Sequence, residues 1–182
     1  VVAVGEAVPQ AELIGHEDYS GKFDPHVWMV PELWVHVVRA VRDALSDAAP
    51  DHADNFAANA EDYITEIAQL GQYARGVLQT VPEPARVLLT AHDAFGYFGR
   101  AYGYEVLGIQ GISTESEAGL NRIRRLVDLL VERDIGAVFV ETSVSDRNIR
   151  ALAEGAAAKG HEVRIGGELF SDAMGEPGTY EG

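Results

Sequence analysis

The sequence contains no cysteine, so any metal site must use histidine, carboxylate or carbonyl ligands. It has no run of about eighteen apolar residues, and we therefore expect no membrane-spanning helix. Basic residues are scarce: 14 Lys and Arg stand against 29 Asp and Glu, which gives a net charge of -15. A surface of that sign repels nucleic acid and anionic lipid, so neither is expected as a partner.

Two amphipathic helices are predicted in the first half of the chain. The first begins near Glu32, with Pro31 in its first turn, and ends at Ala49-Pro50. Its predicted apolar stripe consists of Trp34, Val38, Val41 and Leu45. The second covers about residues 53–80, because apolar residues recur there in alternating steps of four and three. The apolar face of this helix consists of Phe56, Ala60, Tyr63, Ile67, Leu70, Ala74, Val77 and Val81.

Strands and helices alternate from residue 87 onward. Short apolar runs predict strands at 87–90, 105–109, 137–140 and 162–165, with Gly166-Gly167 as a break after the last. Helices are predicted between them, including one opened by a capping box at residues 114–117 with Leu120 facing inward. We therefore predict an α/β fold with a parallel four-stranded sheet flanked by helices. Residues 1–4 are read as one further strand.

Polar side chains follow three of the predicted strands. His92, Glu141 and Asp172 are expected at one rim, because ligands of open parallel sheets bind at the carboxyl ends of the strands. An imidazole with carboxylates suits a divalent cation. Each residue also has a structural alternative: His92 as a helix cap, Glu141 as an acceptor for loop amides, and Asp172 as a turn residue.

His26 is the fourth candidate. Pro25 stiffens the chain before it, and Trp28 is expected to bury the segment, so the imidazole has a fixed direction. Spacing alone leaves both a ligand role and a structural role open.

Four ordered segments resemble a known family. Asp24-Pro25-His26-Val27-Trp28 is similar to the DPHxW segment of solute-binding proteins of manganese and zinc ABC importers, the cluster A-I metal receptors. Residues 90–98, TAHDAFGYF, resemble their THxAFGYF segment, and residues 139–141 match their FVE strand end. Residues 166–175, GGELFSDAMG, resemble the stretch that carries their last ligand. The resemblance extends over essentially the whole chain.

The resemblance implies that His26, His92 and Asp172 are metal ligands, with Glu141 as a hydrogen-bonding support. Family members carry a further His ligand upstream of DPHxW, which this chain lacks, so we expect an incomplete chain. Residues 1–50 would be the remnant of an amino-terminal lobe that exposes apolar surface. Residues 51–82 would be a long connecting helix, and residues 83–182 the carboxyl-terminal α/β lobe.

The implied function is capture of one divalent metal ion outside the cytoplasm and its delivery to the membrane permease of an ABC importer. Manganese is expected first, with zinc or iron as further candidates, because residues 10–23 contain only His16 where many zinc-specific relatives carry a His-rich loop. The stretches 113–119 and 167–172 agree with the manganese branch. We expect a monomer at the periplasm or cell surface, lipid-anchored through an amino terminus outside this chain.

Other classes remain as alternatives. A metal-dependent hydrolase with an open zinc position is one, although no His-Glu-x-x-His segment occurs. A nucleotide-binding domain is disfavoured, because neither the dinucleotide glycine fingerprint nor the P-loop pattern is present. A structural or adhesive metal protein is the third. Metal exchange separates these classes, because a transport receptor must release its ion.

Overall fold

The computed structural model describes residues 1–16, 20–112 and 119–179. The chain divides into two compact units, Val1–Val81 and Pro82–Gly182. The predicted capping box at residues 114–117 lies outside the described residues. Within the described part of the chain, no helix combines the length and the apolar character needed to cross a bilayer.

The first unit is built on two long helices. Helix α1 is Pro31–Ala48 and helix α2 is Ala53–Leu78, joined by a 3-10 turn at Pro50–His52. Pro31 occupies the first turn of α1, where its missing N–H costs no hydrogen bond. The two helices pack against each other and bury mainly small and aliphatic side chains. Those buried most fully are Leu33, Val37, Ala60, Ile67 and Gly71.

Much of the predicted apolar stripe of this unit is uncovered. Val41, Leu45 and Tyr63 are 40%, 45% and 47% exposed and line a groove of about 340 Å³ between α1 and α2. Each helix buries only the side that meets its partner, so apolar side chains of the predicted stripes remain exposed. The predicted strand at residues 1–4 is also absent: Val4–Ala7 form a 3-10 turn, and no described residue pairs with this segment as a strand.

The second unit alternates strands and helices in the predicted order. Its elements are β1 (Val87–Thr90), α3 (Gly96–Tyr102), β2 (Glu105–Gly108), α4 (Leu120–Glu132), β3 (Ala137–Glu141), α5 (Arg147–Ala157) and β4 (Arg164–Leu169). Strand β1 pairs in parallel with β2, and β3 pairs in parallel with β4. Strands β1 and β3 lie beside each other without a hydrogen-bonded ladder in the described residues. The α/β class is confirmed, whereas a continuous four-stranded sheet is not.

One apolar core holds the second unit together. Strands β1 and β3 contribute Leu89 and Val138, and helices α4 and α5 contribute most of the rest. The other fully buried members are Ala91, Ile109, Leu126, Val127, Leu130, Ile149 and Leu152. Because this core packs against β1 and β3, it fixes the points where those two strands end.

Two details of the second unit differ from the prediction. Strand β4 continues through Gly166-Gly167 to Leu169, because an irregularity in its pairing with β3 absorbs the change of register. A Cβ on Gly166 would lie 2.5 Å from Cε1 of Phe139, so glycine is needed there for the ring to pack. Leu120 is 75% exposed rather than inward, because it is the first residue of α4 and precedes the turns that pack on the core.

Candidate metal centre

His92 lies in the turn that follows strand β1. Its side chain is fully buried, and the backbone around it is held at several points. Thr90 Oγ1 donates to the carbonyl of His92 at 2.8 Å, and the Gln110 N–H donates to the carbonyl of Ala91 at 3.0 Å. The imidazole is therefore presented from a rigid strand end, as the parallel topology predicts.

Glu141, the last residue of β3, holds His92 by two contacts. Its Oε1 accepts the backbone N–H of His92 at 2.9 Å, and its Oε2 lies 2.6 Å from Nδ1 of the ring. Because a carboxylate only accepts, Nδ1 carries hydrogen and the ligand lone pair of the neutral ring is on Nε2. A carboxylate behind a histidine in this manner is the usual support of a metal-binding imidazole.

Asp172 meets the other nitrogen of the same ring. Its Oδ2 lies 3.1 Å from His92 Nε2, and its side chain is 30% exposed. Two donor atoms that are each about 2.1 Å from one ion lie roughly 3.0 to 3.4 Å apart in octahedral or tetrahedral geometry. The spacing of Nε2 and Oδ2 therefore fits two ligands of a single cation.

The charges of this cluster are strongly coupled. Burial alone would lower the pKa of His92, but the hydrogen bond and charge of Glu141, followed by those of Asp172, outweigh it and raise that pKa. Burial alone would raise the pKa of Glu141, but hydrogen bonds from His92 and Ser171 outweigh it and lower that pKa. A cation bound at Nε2 therefore takes the place of a proton there.

His26 is held in the first unit by the same device. Asp24 Oδ1 accepts the backbone N–H of His26 at 2.9 Å and lies 2.6 Å from Nδ1 of the ring. Both side chains are buried, and the ligand lone pair of the neutral His26 ring is again on Nε2. Trp28 meets the buried His26 ring edge-on, with 5.3 Å between the ring centroids, and is itself 40% exposed.

Within the second unit, the structure brings together His92, Glu141 and Asp172, all named from the sequence. Two supporting residues, Asp24 and Ser171, were not singled out. Asp24 had a readable signal, because Pro25 has no N–H and an aspartate two residues before His26 can accept the His26 N–H. Ser171 had none beyond its place next to Asp172, since its partners lie about thirty residues away in sequence.

Comparison with known proteins gives matches along the whole chain. Residues 1–182 match the family model described as "Zinc-uptake complex component A periplasmic". The chain is 51% identical over 181 residues to the manganese-binding lipoprotein MntA of Bacillus subtilis, which covers 99% of this chain and 58% of that protein. It is 44% identical over 182 residues to the zinc-binding protein TroA of Treponema pallidum, covering 100% of this chain and 58% of that protein.

A solved structure agrees with the sequence matches. The periplasmic zinc binding protein TroA from Treponema pallidum superposes with a TM-score of 0.95 at 44% identity, covering 100% of this chain and 65% of that one. The chain therefore spans less than two thirds of the length of the relatives it matches.

Proposed function

The chain belongs to the family of periplasmic zinc-uptake component A proteins, and from this premise we propose that it is a receptor segment that captures one divalent transition metal ion. The ion is cargo: it is bound outside the cytoplasmic membrane and passed to the permease of an ABC importer. The names of the relatives, a manganese-binding lipoprotein and a periplasmic zinc binding protein, support this assignment. The receptor acts as a monomer.

The observation that carries the proposal is the arrangement of His92 between two carboxylates. Glu141 fixes the ring from behind through Nδ1 and the backbone N–H, and Asp172 meets Nε2 at 3.1 Å. A buried imidazole with this orientation has its ligand nitrogen directed toward a second donor atom, which is what a cation requires.

His26 is proposed as the third ligand. Its contact with Asp24 resembles the contact of His92 with Glu141. In each pair the carboxylate accepts the backbone N–H of the histidine and lies close to Nδ1 of its ring. A polypeptide that orients two buried histidines by the same carboxylate device is built to direct two Nε2 lone pairs. Asp172 supplies the negative charge.

Two imidazoles and one carboxylate favour manganese, zinc or iron over magnesium and calcium, which prefer all-oxygen ligands. Manganese is proposed as the physiological cargo, because the MntA relative at 51% identity is named for manganese. Zinc binds a given site of this kind more tightly at equilibrium, so supply and geometry decide the choice. Matches to binding proteins do not favour the hydrolase alternative.

Metal titration of single-histidine variants tests the proposal. His92→Ala and His26→Ala should each weaken Mn²⁺ and Zn²⁺ binding at least roughly 100-fold, because losing a ligand costs more than losing its support. His52→Ala is the matched control, because His52 is exposed at the start of α2. Unchanged affinity in the His92 variant would refute the metal site, whereas an unchanged His26 variant would remove only the third ligand.

A further inference from the structure

Ser171 anchors the segment that carries Asp172. It is 3% exposed, whereas Phe170 before it is 41% exposed and Met174 after it is 76% exposed. Strand β4 ends at Leu169, whose carbonyl accepts the N–H of Thr142 at 3.0 Å. After that backbone hydrogen bond, Ser171 is the buried residue that directly precedes the exposed residues 172–174.

The Ser171 hydroxyl joins two side chains that follow or end strand β3. It lies 2.8 Å from Ser143 Oγ and forms a hydrogen bond with Glu141. A hydroxyl has one hydrogen, and the Glu141 carboxylate only accepts. Ser171 therefore donates to Glu141, and Ser143 donates to Ser171. Hydrogen bonds that run in one direction in this way polarise and strengthen one another.

These bonds close a ring around the proposed ligands. Glu141 accepts the backbone N–H of His92, and His92 Nε2 lies 3.1 Å from Asp172 Oδ2. Asp172 follows Ser171 in the chain, and the Ser171 hydroxyl is hydrogen-bonded to Glu141. The position of the Asp172 carboxylate relative to the imidazole is therefore set by the Ser171 hydroxyl as well as by the backbone. Ser143 adds a second support to the same hydroxyl.

We infer that the Ser143–Ser171 hydroxyl pair, here called the serine clasp, is a positioning device that holds Asp172 against His92 and slows release of the bound metal. The inference rests on the proposed function. While Ser171 keeps its hydrogen bonds to Ser143 and Glu141, the Asp172 carboxylate stays oriented toward His92. When the clasp opens, residues 172–174 lose their buried anchor and the carboxylate can leave the ion.

Dissociation kinetics test the clasp. Zn²⁺ is loaded on the full chain and removed by excess chromophoric chelator in a stopped-flow experiment, and association is measured separately. Ser143→Ala should raise the dissociation rate roughly fivefold and Ser171→Ala roughly tenfold or more, in keeping with loss of a neutral and of a charge-assisted hydrogen bond. Association rates should change less than about twofold, because affinity differences of related complexes arise mainly in dissociation.

A double variant and a control make the result specific. Because Ser143 acts through Ser171, the combination of both alanines should dissociate no faster than Ser171→Ala alone. Ser145→Ala is the control, since Ser145 is exposed and its Oγ accepts the N–H of Arg147 at 3.4 Å. Its dissociation rate should equal that of the unmodified protein.

The outcomes separate the two proposals. Normal binding with unchanged dissociation in Ser143→Ala and Ser171→Ala overturns the clasp and leaves the proposed function standing. Additive effects in the double variant also overturn it, because they mean that the serines act independently. An unmodified protein that binds no Zn²⁺ overturns the proposed function and the clasp together. If Ser171→Ala fails to fold, the half-buried Ser143 variant still decides the question.

Discussion

Replacing Glu141 by glutamine tests the support of the proposed metal site without changing its shape. The amide oxygen of Gln can still accept the backbone N–H of His92, as Oε1 does at 2.9 Å. The amide nitrogen then faces Nδ1 in place of the carboxylate oxygen at 2.6 Å. Because an amide N–H cannot accept, Nδ1 must become the acceptor, and hydrogen moves to Nε2. The variant therefore places hydrogen on the nitrogen that is proposed to bind the metal.

The expected loss is large enough to measure by competition with a fluorescent chelator. Removing the carboxylate partner of a ligating histidine typically weakens metal binding about 10- to 100-fold, or about 1.4 to 2.7 kcal/mol. Glu168→Gln is the matched control, because it removes the same charge from an exposed position on strand β4. The reasoning is refuted if Glu141→Gln binds within about twofold of the unmodified protein. It is equally refuted if Glu168→Gln is just as weak, because net charge alone would then explain the loss.

Two further predictions concern pH and packing. Metal affinity should decrease as pH falls, because a proton competes with the metal for Nε2 of His92. The decrease should begin at a pH above the usual pKa of imidazole, because the pKa of His92 is raised. Competition titrations across pH check this, and a flat profile would contradict it. In the metal-free protein the sign is reversed, because folding favours protonated His92. Its stabilisation is complete just below the ordinary imidazole pKa, where Glu141 is still ionised, and is lost as pH rises through the raised pKa, which thermal unfolding measures. Gly166→Ala should destabilise the protein by about 1 to 3 kcal/mol, because its Cβ would overlap the Phe139 ring. Gly167→Ala, with nothing within 4 Å of the added Cβ, should leave the melting temperature nearly unchanged.

Sequence patterns predicted the elements of the second unit well because local signals there agree with packing. A short apolar run predicts strand β1 at its observed bounds, and Gly103, with φ 73°, ends α3 because glycine readily adopts this left-handed conformation. Strand β4 was predicted too short because Gly166-Gly167 is usually a break. In this protein the Phe139 ring packs so close to Gly166 that no side chain fits there. That is a tertiary contact that no local pattern contains.

Burial in the first unit was harder to predict for a related reason. Periodicity identifies the apolar stripes that carry Val41, Leu45 and Tyr63 but not what covers them, and all three side chains are partly exposed. At the candidate site, parallel topology was sufficient to bring His92, Glu141 and Asp172 to one edge. The hydrogen bonds of Ser171 to Ser143 and Glu141 depend on side-chain directions in two separate turns, and sequence spacing does not encode those directions.

The unequal exposure of the two proposed ligands in the second unit sets an order for ligand exchange. The His92 side chain is inaccessible, whereas 30% of the Asp172 side chain is open to solvent. Incoming water can therefore displace the carboxylate before it reaches the imidazole. If both residues bind the metal as proposed, a departing ion would rehydrate from the Asp172 side while nitrogen still held it. An arriving ion would shed its waters in the opposite sequence, with the carboxylate bond formed last.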